Sequence, residues 1–370
     1  MTAKAYSLLA ESKAIPELQV IVAGTGNVGS EFLTRFSKQQ QRFSGKIALQ
    51  LAGIVNSRHA LLASNLTADS WQRDFQQFGK GYAAADLVAY LQDLAGPKVV
   101  IDITPSQSFA RQYPALIQAG CHIISANKQG VTLPDAEYQA LRQQLRQHKL
   151  CWLSNTTVGA GLPVQRIIQE LLQSGDQIQR ISGVFSGTLS WLLCQYDGSK
   201  PFSEFVLEAQ QLGYTEPDPR DDLSGKDVQR KLLVLARELG LKLDLADIRL
   251  NPLLPTELAT GEWQDFWQQR ERLDRQMLAL YQQAKANQQV LRYAASLSLQ
   301  AGQIKAEVSL QAVALDAPLA ALAPCDNIFV IESNWYRDNP LVLKGPGAGS
   351  IVTAGGLHAD LAQLVAQLAG

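Results

Sequence analysis

The chain has no apolar run near the ~18 residues that cross a bilayer. Leu8-Leu9-Ala10 is too short for the core of a secretion signal. It also lacks a charge bias, since 33 Lys and Arg stand against 34 Asp and Glu for a net charge of −1. That balance excludes the basic stripe of a nucleic-acid binder. Histidine is scarce: His59, His122, His148 and His358 show no HxxxH or HExxH spacing, so no zinc site is expected. Cys121, Cys151, Cys194 and Cys325 form no CxxC pair, and a chain this long needs no disulfide staples. Reduced thiols, a cytoplasmic location and no membrane partner are therefore expected. What remains is 46% hydrophobic and 18% charged, enough to bury a sizeable core. At about 150 residues per domain, 370 residues suggest two domains.

After an arm closed by Pro16, Leu18–Ala23 reads as a buried strand. A helix follows with Val28, Phe32, Leu33 and Phe36 on one face. Ile47–Val55, Val99–Ile103, His122–Ala126 and Leu150–Leu153 read as further strands, with helices over Ser108–Ala119 and Pro134–Gln147. Such alternation predicts a doubly wound parallel sheet. Past residue 155 the pattern becomes α+β. Helices are expected over Leu162–Gln173, Phe202–Leu212 and Lys226–Leu239, with one exposed helix over 261–285. Strands are expected over Val290–Leu299, Gln303–Leu310 and Asn327–Glu332. A glycine-dense turn region, Gly345–Gly356, then precedes a last helix, Leu357–Leu368. The expected division is an arm (1–17), a nucleotide-binding domain (18–154), a second domain (155–340) and a returning segment (341–370).

Gly24-Thr25-Gly26-Asn27-Val28-Gly29 is a GxGxxG between a strand and a helix. The glycines serve a tight turn, close approach of a pyrophosphate and close helix–strand packing, while the helix N-terminus favours phosphate. The fold class is therefore α/β, of Rossmann type. The second strand ends in Asn56-Ser57-Arg58, without the carboxylate that bonds a ribose 2′-hydroxyl. Arg58 suits a 2′-phosphate, which favours NADP over NAD. Lys128 and Thr104 each follow a strand's carboxyl end, where ligands bind in open sheets. The segment Gly213–Asp227 crowds Glu216, Asp218, Asp221 and Asp222 onto a proline-stiffened loop, which calls for a cation among them. A substrate ammonium, Arg220 or Lys226 would each serve. Asp227 and Lys231, four apart, meet at the edge of a buried stripe, a place for proton transfer or for an ordinary surface ion pair.

These motifs, with Thr157–Pro163, Ser186-Gly187-Thr188 and Gly345–Gly349, follow the order found in homoserine dehydrogenases. From about residue 18 onward the chain resembles that family, and most the dehydrogenase half of bifunctional aspartokinase–homoserine dehydrogenases. The resemblance implies NAD(P)H-dependent reduction of L-aspartate 4-semialdehyde to L-homoserine, a step of threonine and methionine biosynthesis. It implies that Lys231 is the general acid/base beside Lys128, oriented by Asp227. Glu216, Asp222 and Asp221, with Gly187 and Thr188, would hold the small-molecule substrate. Gly24 to Gly29, Asn56, Ser57, Arg58, Thr104, Lys128 and Gly349 would hold the cofactor.

The resemblance further implies a substrate and dimerisation domain, hence a homodimer. It also implies a sodium or potassium ion at an acidic side chain, here replaced by Asn155, with the carbonyls of Val158, Ala160 and Leu162. Threonine is expected not to act through a dedicated regulatory domain. Two rivals stand beside this reading. An aspartate-semialdehyde dehydrogenase would require an activated cysteine, whereas a non-catalytic NAD(P) sensor would not need the lysines.

Overall fold

After Pro16 the chain enters its first strand, whose centre is the β-branched run Val20-Ile21-Val22. The computed structural model describes residues 15–300 and 302–369, so most of the expected arm lies outside the described residues. Seven strands form the first sheet: β1 (Glu17–Ala23), β2 (Ala48–Val55), β3 (His59–Leu66), β4 (Lys80–Gly81), β5 (Lys98–Asp102), β6 (Cys121–Ser125) and β7 (Trp152–Leu153). Their order is β4-β3-β2-β1-β5-β6-β7. The five strands from β2 to β7 are parallel, as the alternation of strand and helix predicts. The β3 and β4 edge is antiparallel, which the sequence reading misses. Only Asn56, Ser57 and Arg58 separate β2 from β3, and so short a link permits a hairpin but no crossover.

Side-chain alternation along β1 divides the core. Leu18, Val20 and Val22 pack with Phe32, Leu33 and Phe36 of the first helix (Asn27–Phe43) and with Ala354, Leu357 and Leu361 of the C-terminal helix (Ser350–Ala369). Ile21 and Ala23 face the other way, into a cluster that continues through the second domain to Phe329. Each fully buried Phe or Leu contributes roughly 1.5–3 kcal/mol over an exposed one.

The second sheet comprises β8 (Ile178–Val184), β9 (Arg249–Leu250), β10 (Gln289–Gln300), β11 (Gln303–Ala314), β12 (Asp326–Ser333) and β13 (Leu341–Pro346), ordered β13-β12-β8-β10-β11-β9. Three expectations are corrected. The helix expected over Ser108–Ala119 is two, Gln107–Ala110 and Tyr113–Gln118, with Pro114 opening the second. Residues 261–285 also form two, Trp263–Gln269 and Glu271–Ala286, which bury Phe266, Leu273 and Met277 rather than lying exposed. The glycine-dense stretch 345–356 holds the last two residues of β13, a short link over 347–349 and the first turns of the C-terminal helix. β13 belongs to the second sheet, and only the C-terminal helix returns to the nucleotide domain.

Candidate active site

The sheet order reverses between β1 and β5, and ligands of open α/β sheets bind outside such a switch point. The glycine turn is built there. Gly24 has φ +110°, and a Cβ on it would lie 2.9 Å from the Ile103 carbonyl, so the turn tolerates only glycine. A Cβ on Gly26 would meet nothing within 4 Å, which leaves room for a ligand. A Cβ on Gly29 would collide with the Gly24 carbonyl. Gly26 is the N-cap of the first helix, no side chain caps that helix, and its first turn carries no acid. Free N–H groups, open space and absence of negative charge fit a pyrophosphate.

At the β2–β3 turn, Asn56 Oδ1 accepts the backbone N–H groups of Arg58 (2.9 Å) and His59 (2.8 Å). Ser57 and Arg58 are exposed. The Asn56 oxygen is thus committed to the turn, leaving its amide N–H groups for a ligand. Thr104 lies just past β5, and Gly349 immediately precedes the C-terminal helix.

The lysines meet at Asp227. Lys128 opens the short helix Lys128–Val131 after β6, and Asp227 and Lys231 lie on the helix Lys226–Glu238. Asp227 reaches Lys231 Nζ at 2.8 Å and Lys128 Nζ at 3.6 Å, and Lys231 Nζ also donates to the Phe185 carbonyl at 2.6 Å. Burial pushes the Asp227 carboxyl up, but the two ammonium groups outweigh it and hold it well below the usual range. Enclosure lowers Lys128 from the ordinary lysine value against the pull of Asp227, with Lys231 adding repulsion. Phe185 escaped the sequence reading because its contribution is a carbonyl; its place directly before Ser186-Gly187-Thr188 was the available signal.

The acidic segment is a loop only to Asp218, which caps the five-residue helix Pro219–Leu223. Pro219 stands at the first helical position, where its missing N–H costs nothing. Asp218 pairs with Arg220, the bland alternative, and is removed from the acidic set. Asp222 Oδ2 accepts the Glu216 N–H at 2.8 Å, and Thr188 Oγ1 donates to the Tyr214 carbonyl, fastening this loop to the helix Gly187–Gln195. Burial raises the Asp222 carboxyl, and the nearby Glu216 and Asp227 charges add to it. Asp221 is exposed.

In the Asn155 loop the Leu162 carbonyl is already committed, while Asn155 Oδ1 is buried without a hydrogen-bond partner. Asn155 Nδ2 donates to the Leu162 carbonyl at 3.1 Å, and the Val164 N–H takes the same oxygen at 2.8 Å. Both lone pairs of one expected ligand are therefore occupied. The four cysteines are unpaired, and burial pushes Cys121 up to about 12 and also raises Cys151, Cys194 and Cys325. None has the lowered pKa of a nucleophile.

Family models match along most of the chain: the homoserine dehydrogenase NAD-binding domain over residues 24–154 and homoserine dehydrogenase over residues 163–362. The chain belongs to the homoserine dehydrogenase family. It is 42% identical over 358 residues to bifunctional aspartokinase/homoserine dehydrogenase 2 of Escherichia coli (strain K12), covering 95% of this chain and 44% of that protein. The chloroplastic bifunctional aspartokinase/homoserine dehydrogenase 2 of Zea mays is 37% identical, over 95% and 39%. The chain thus spans less than half the length of these curated relatives.

Among solved structures, a Candida auris protein of unknown function matches with TM-score 0.87 and 28% identity, over 95% of this chain and 99% of that one. Two homoserine dehydrogenases share the fold. That of Thermoplasma acidophilum has TM-score 0.71 and 18% identity over 94% and 99%. A hyperthermophilic archaeal one in complex with NADPH has TM-score 0.71 and 19% identity over 95% and 98%. As a family member the chain carries a nucleotide-binding domain of the homoserine dehydrogenase type. No helix among the described residues is long and apolar enough to cross a membrane.

Proposed function

We propose that this chain interconverts L-aspartate 4-semialdehyde and L-homoserine with an NAD(P) cofactor. The observation that carries this reading is the single Asp227 carboxylate shared by Lys128 and Lys231 beside the Glu216–Asp222 loop. A nicotinamide cofactor held on the glycine turn would supply or take the hydride. Lys231 has three N–H donors, and Asp227 and the Phe185 carbonyl take two, which leaves one for the substrate oxygen. In the reducing direction that N–H gives its proton to the oxygen as negative charge develops there. Lys128 stands by as a second positive charge. Asp222 and Glu216 hold the substrate ammonium, whose charge offsets the repulsion between them, and Asp221, Gly187 and Thr188 complete that end.

The cofactor would lie on Gly24, Thr25, Gly26, Asn27, Val28 and Gly29, with Asn56, Ser57, Thr104, Lys128 and Gly349 around it. Arg58 sits at a turn without a carboxylate and favours NADP over NAD. No step is routed through a sodium or potassium ion at Asn155, Val158, Ala160 and Leu162. A homodimer in the cytoplasm belongs to the same reading. It is supported by the exposed apolar Ile304, Trp335 and Val342 on or beside second-sheet strands, and by four unpaired thiols. An assay of L-homoserine oxidation with NAD and with NADP in parallel tests the activity, and light scattering tests the dimer. Absence of homoserine-dependent cofactor reduction would return the chain to a sensor role.

A further inference from the structure

Asp102, the last residue of β5, is fully buried, and the partners of its carboxylate are neutral donors. Oδ1 accepts the Thr104 N–H at 2.9 Å and the Thr104 hydroxyl at 2.7 Å. Oδ2 accepts the Tyr113 hydroxyl at 2.7 Å and Asn127 Nδ2 at 2.9 Å. Four donors converge on one carboxylate, an arrangement that suits its ionised, acceptor-only form.

Asn127 is the informative partner. It is buried, and its amide nitrogen is shared by Asp102 Oδ2 and the Ser106 carbonyl (2.8 Å). Its Oδ1 accepts the Gln129 N–H at 3.0 Å, capping the helix Lys128–Val131. Four residues are too few to sustain a helix alone, so this turn depends on its cap and its packing. The first residue of that turn is Lys128, whose Nζ faces Asp227 at 3.6 Å. The same oxygen is held by Tyr113, which packs edge-on against Trp152, whose Nε1 donates to Ser125 Oγ at 3.0 Å.

We propose that Asp102 is a positioning residue: through Asn127 it fixes the turn that presents Lys128 to Asp227 and the substrate. Thr104, at the cofactor crevice, hangs from the same carboxylate, so one buried anion sets both sides of the cleft. This rests on the reading that Lys128 belongs to the active pair. Asp102→Asn would turn an amide N–H toward donors on one side, and Asn127→Ala would cut the link to Lys128 while leaving the carboxylate. Tyr113→Phe removes a donor to the same oxygen but keeps the ring that packs against Gly130 of the Lys128 turn, and it leaves the Asn127 link intact.

The test measures kcat, KM, pH profile and thermal midpoint of the full chain with L-homoserine and NADP. Asn127→Ala and Asp102→Asn are expected to lower kcat at least tenfold. The alkaline limb of their pH profiles should move to lower pH, because Lys128 loses the nearby Asp227 charge that supports its proton. Tyr113→Phe is expected to lose thermal stability yet keep kcat within threefold and the limb in place. If Asp102→Asn does not fold, the comparison of Asn127→Ala with Tyr113→Phe decides. Equal kcat losses in those two, or an Asn127→Ala enzyme within threefold of the parent, would overturn the proposal. Lys128→Met separates the two levels: retained kcat there removes Lys128 itself, whereas a dead Lys128→Met beside a fully active Asn127→Ala removes only the role of Asp102.

Discussion

Asp227 sits in the first turn of its helix, where negative charge is favoured, and reaches the lysine one turn on and another from a different domain. Lys231→Ala should reduce kcat by about 10²- to 10⁴-fold, the usual scale for a positioned general acid. Lys231→Arg should restore little, because a guanidinium keeps its proton near neutral pH. Steady-state turnover of the folded variants checks both, and near-parent rates would remove Lys231 from the mechanism. At the other end of the cleft, Arg58→Glu should weaken NADP by roughly ten- to hundredfold while changing NAD far less, since one charged hydrogen bond is worth ~1.5–3 kcal/mol. Binding titrations with both dinucleotides decide it; equal losses would make Arg58 only a loop charge. The Asp227–Lys231 contact is legible from its i,i+4 spacing and the place of Lys128 at the cleft from its strand end, whereas the pairing of the two lysines is implied only by the family resemblance. Phe185 contributes a carbonyl, for which adjacency to Ser186-Gly187-Thr188 is the one cue, and Asp102 is proposed to act through a relay of hydrogen bonds that no spacing rule exposes.

The C-terminal helix shows why element boundaries escape the sequence. Gly355 and Gly356 read as a turn, yet they lie inside a helix of 20 residues. A Cβ on Gly356 would press on Thr156 Cγ2 at 2.5 Å and the Ala160 carbonyl at 3.1 Å, so this glycine serves close packing rather than a bend. Likewise β8 carries Gln179, Arg180, Ser182 and Gly183, too polar to announce a central strand, but β10 and β12 pair with it on both sides. The same helix holds two buried titratable groups. His358 bonds the Phe32 carbonyl near Arg35 and is held down to about 4, chiefly by burial. Asp360 faces Arg166 at 3.5 Å, the Asn155 N–H and, farther off, Glu238, and burial pushes it up to about 7.

The signs follow from linkage. Between the ordinary carboxylate value and 7, the folded chain keeps a proton on Asp360 that the unfolded chain has released, so stability falls as pH rises through that window. His358 acts on the acid side: below about 6.5 the unfolded chain binds a proton that the folded one refuses until about 4, so stability falls as pH drops. Asp360→Asn should therefore gain more stability at pH 8 than at pH 5, by a difference on the order of 2 kcal/mol, seen as a larger rise of the thermal midpoint at pH 8. Calorimetry at the two pH values reads it. An equal change at both would show that Asp360 does not titrate in this window.

At the scale of the whole molecule the two domains are joined through the loop after β7, and the question is what closes it. Gln165 Nε2 donates to the Ser154 carbonyl (2.7 Å) and to Thr157 Oγ1 (2.9 Å), while Ser154 returns its hydroxyl to Gln165 Oε1 (2.9 Å). Asn155 ties the loop's start to its end at the Leu162 carbonyl. The C-terminal helix then lies across it, with Val352 O only 2.4 Å from where a Cβ on Gly161 would stand. These are neutral hydrogen bonds, and the amide group of Asn155 supplies the partial positive charge toward Leu162 that an ion would otherwise bring. The junction should therefore hold without sodium or potassium. With both replaced by tetramethylammonium chloride at constant ionic strength, turnover should stay within about twofold and the thermal midpoint should not move, since an ion that is not bound contributes no linkage. Asn155→Glu should reverse this, because a carboxylate facing the Leu162 carbonyl is repelled unless a cation lies between them. Its midpoint should be lowered in tetramethylammonium and rise with added sodium or potassium, the stability gained being about 2.7 kcal/mol at a hundredfold excess over the dissociation constant. Loss of activity or of thermal stability by the parent chain in tetramethylammonium would show that Asn155 and its neighbours hold a cation after all.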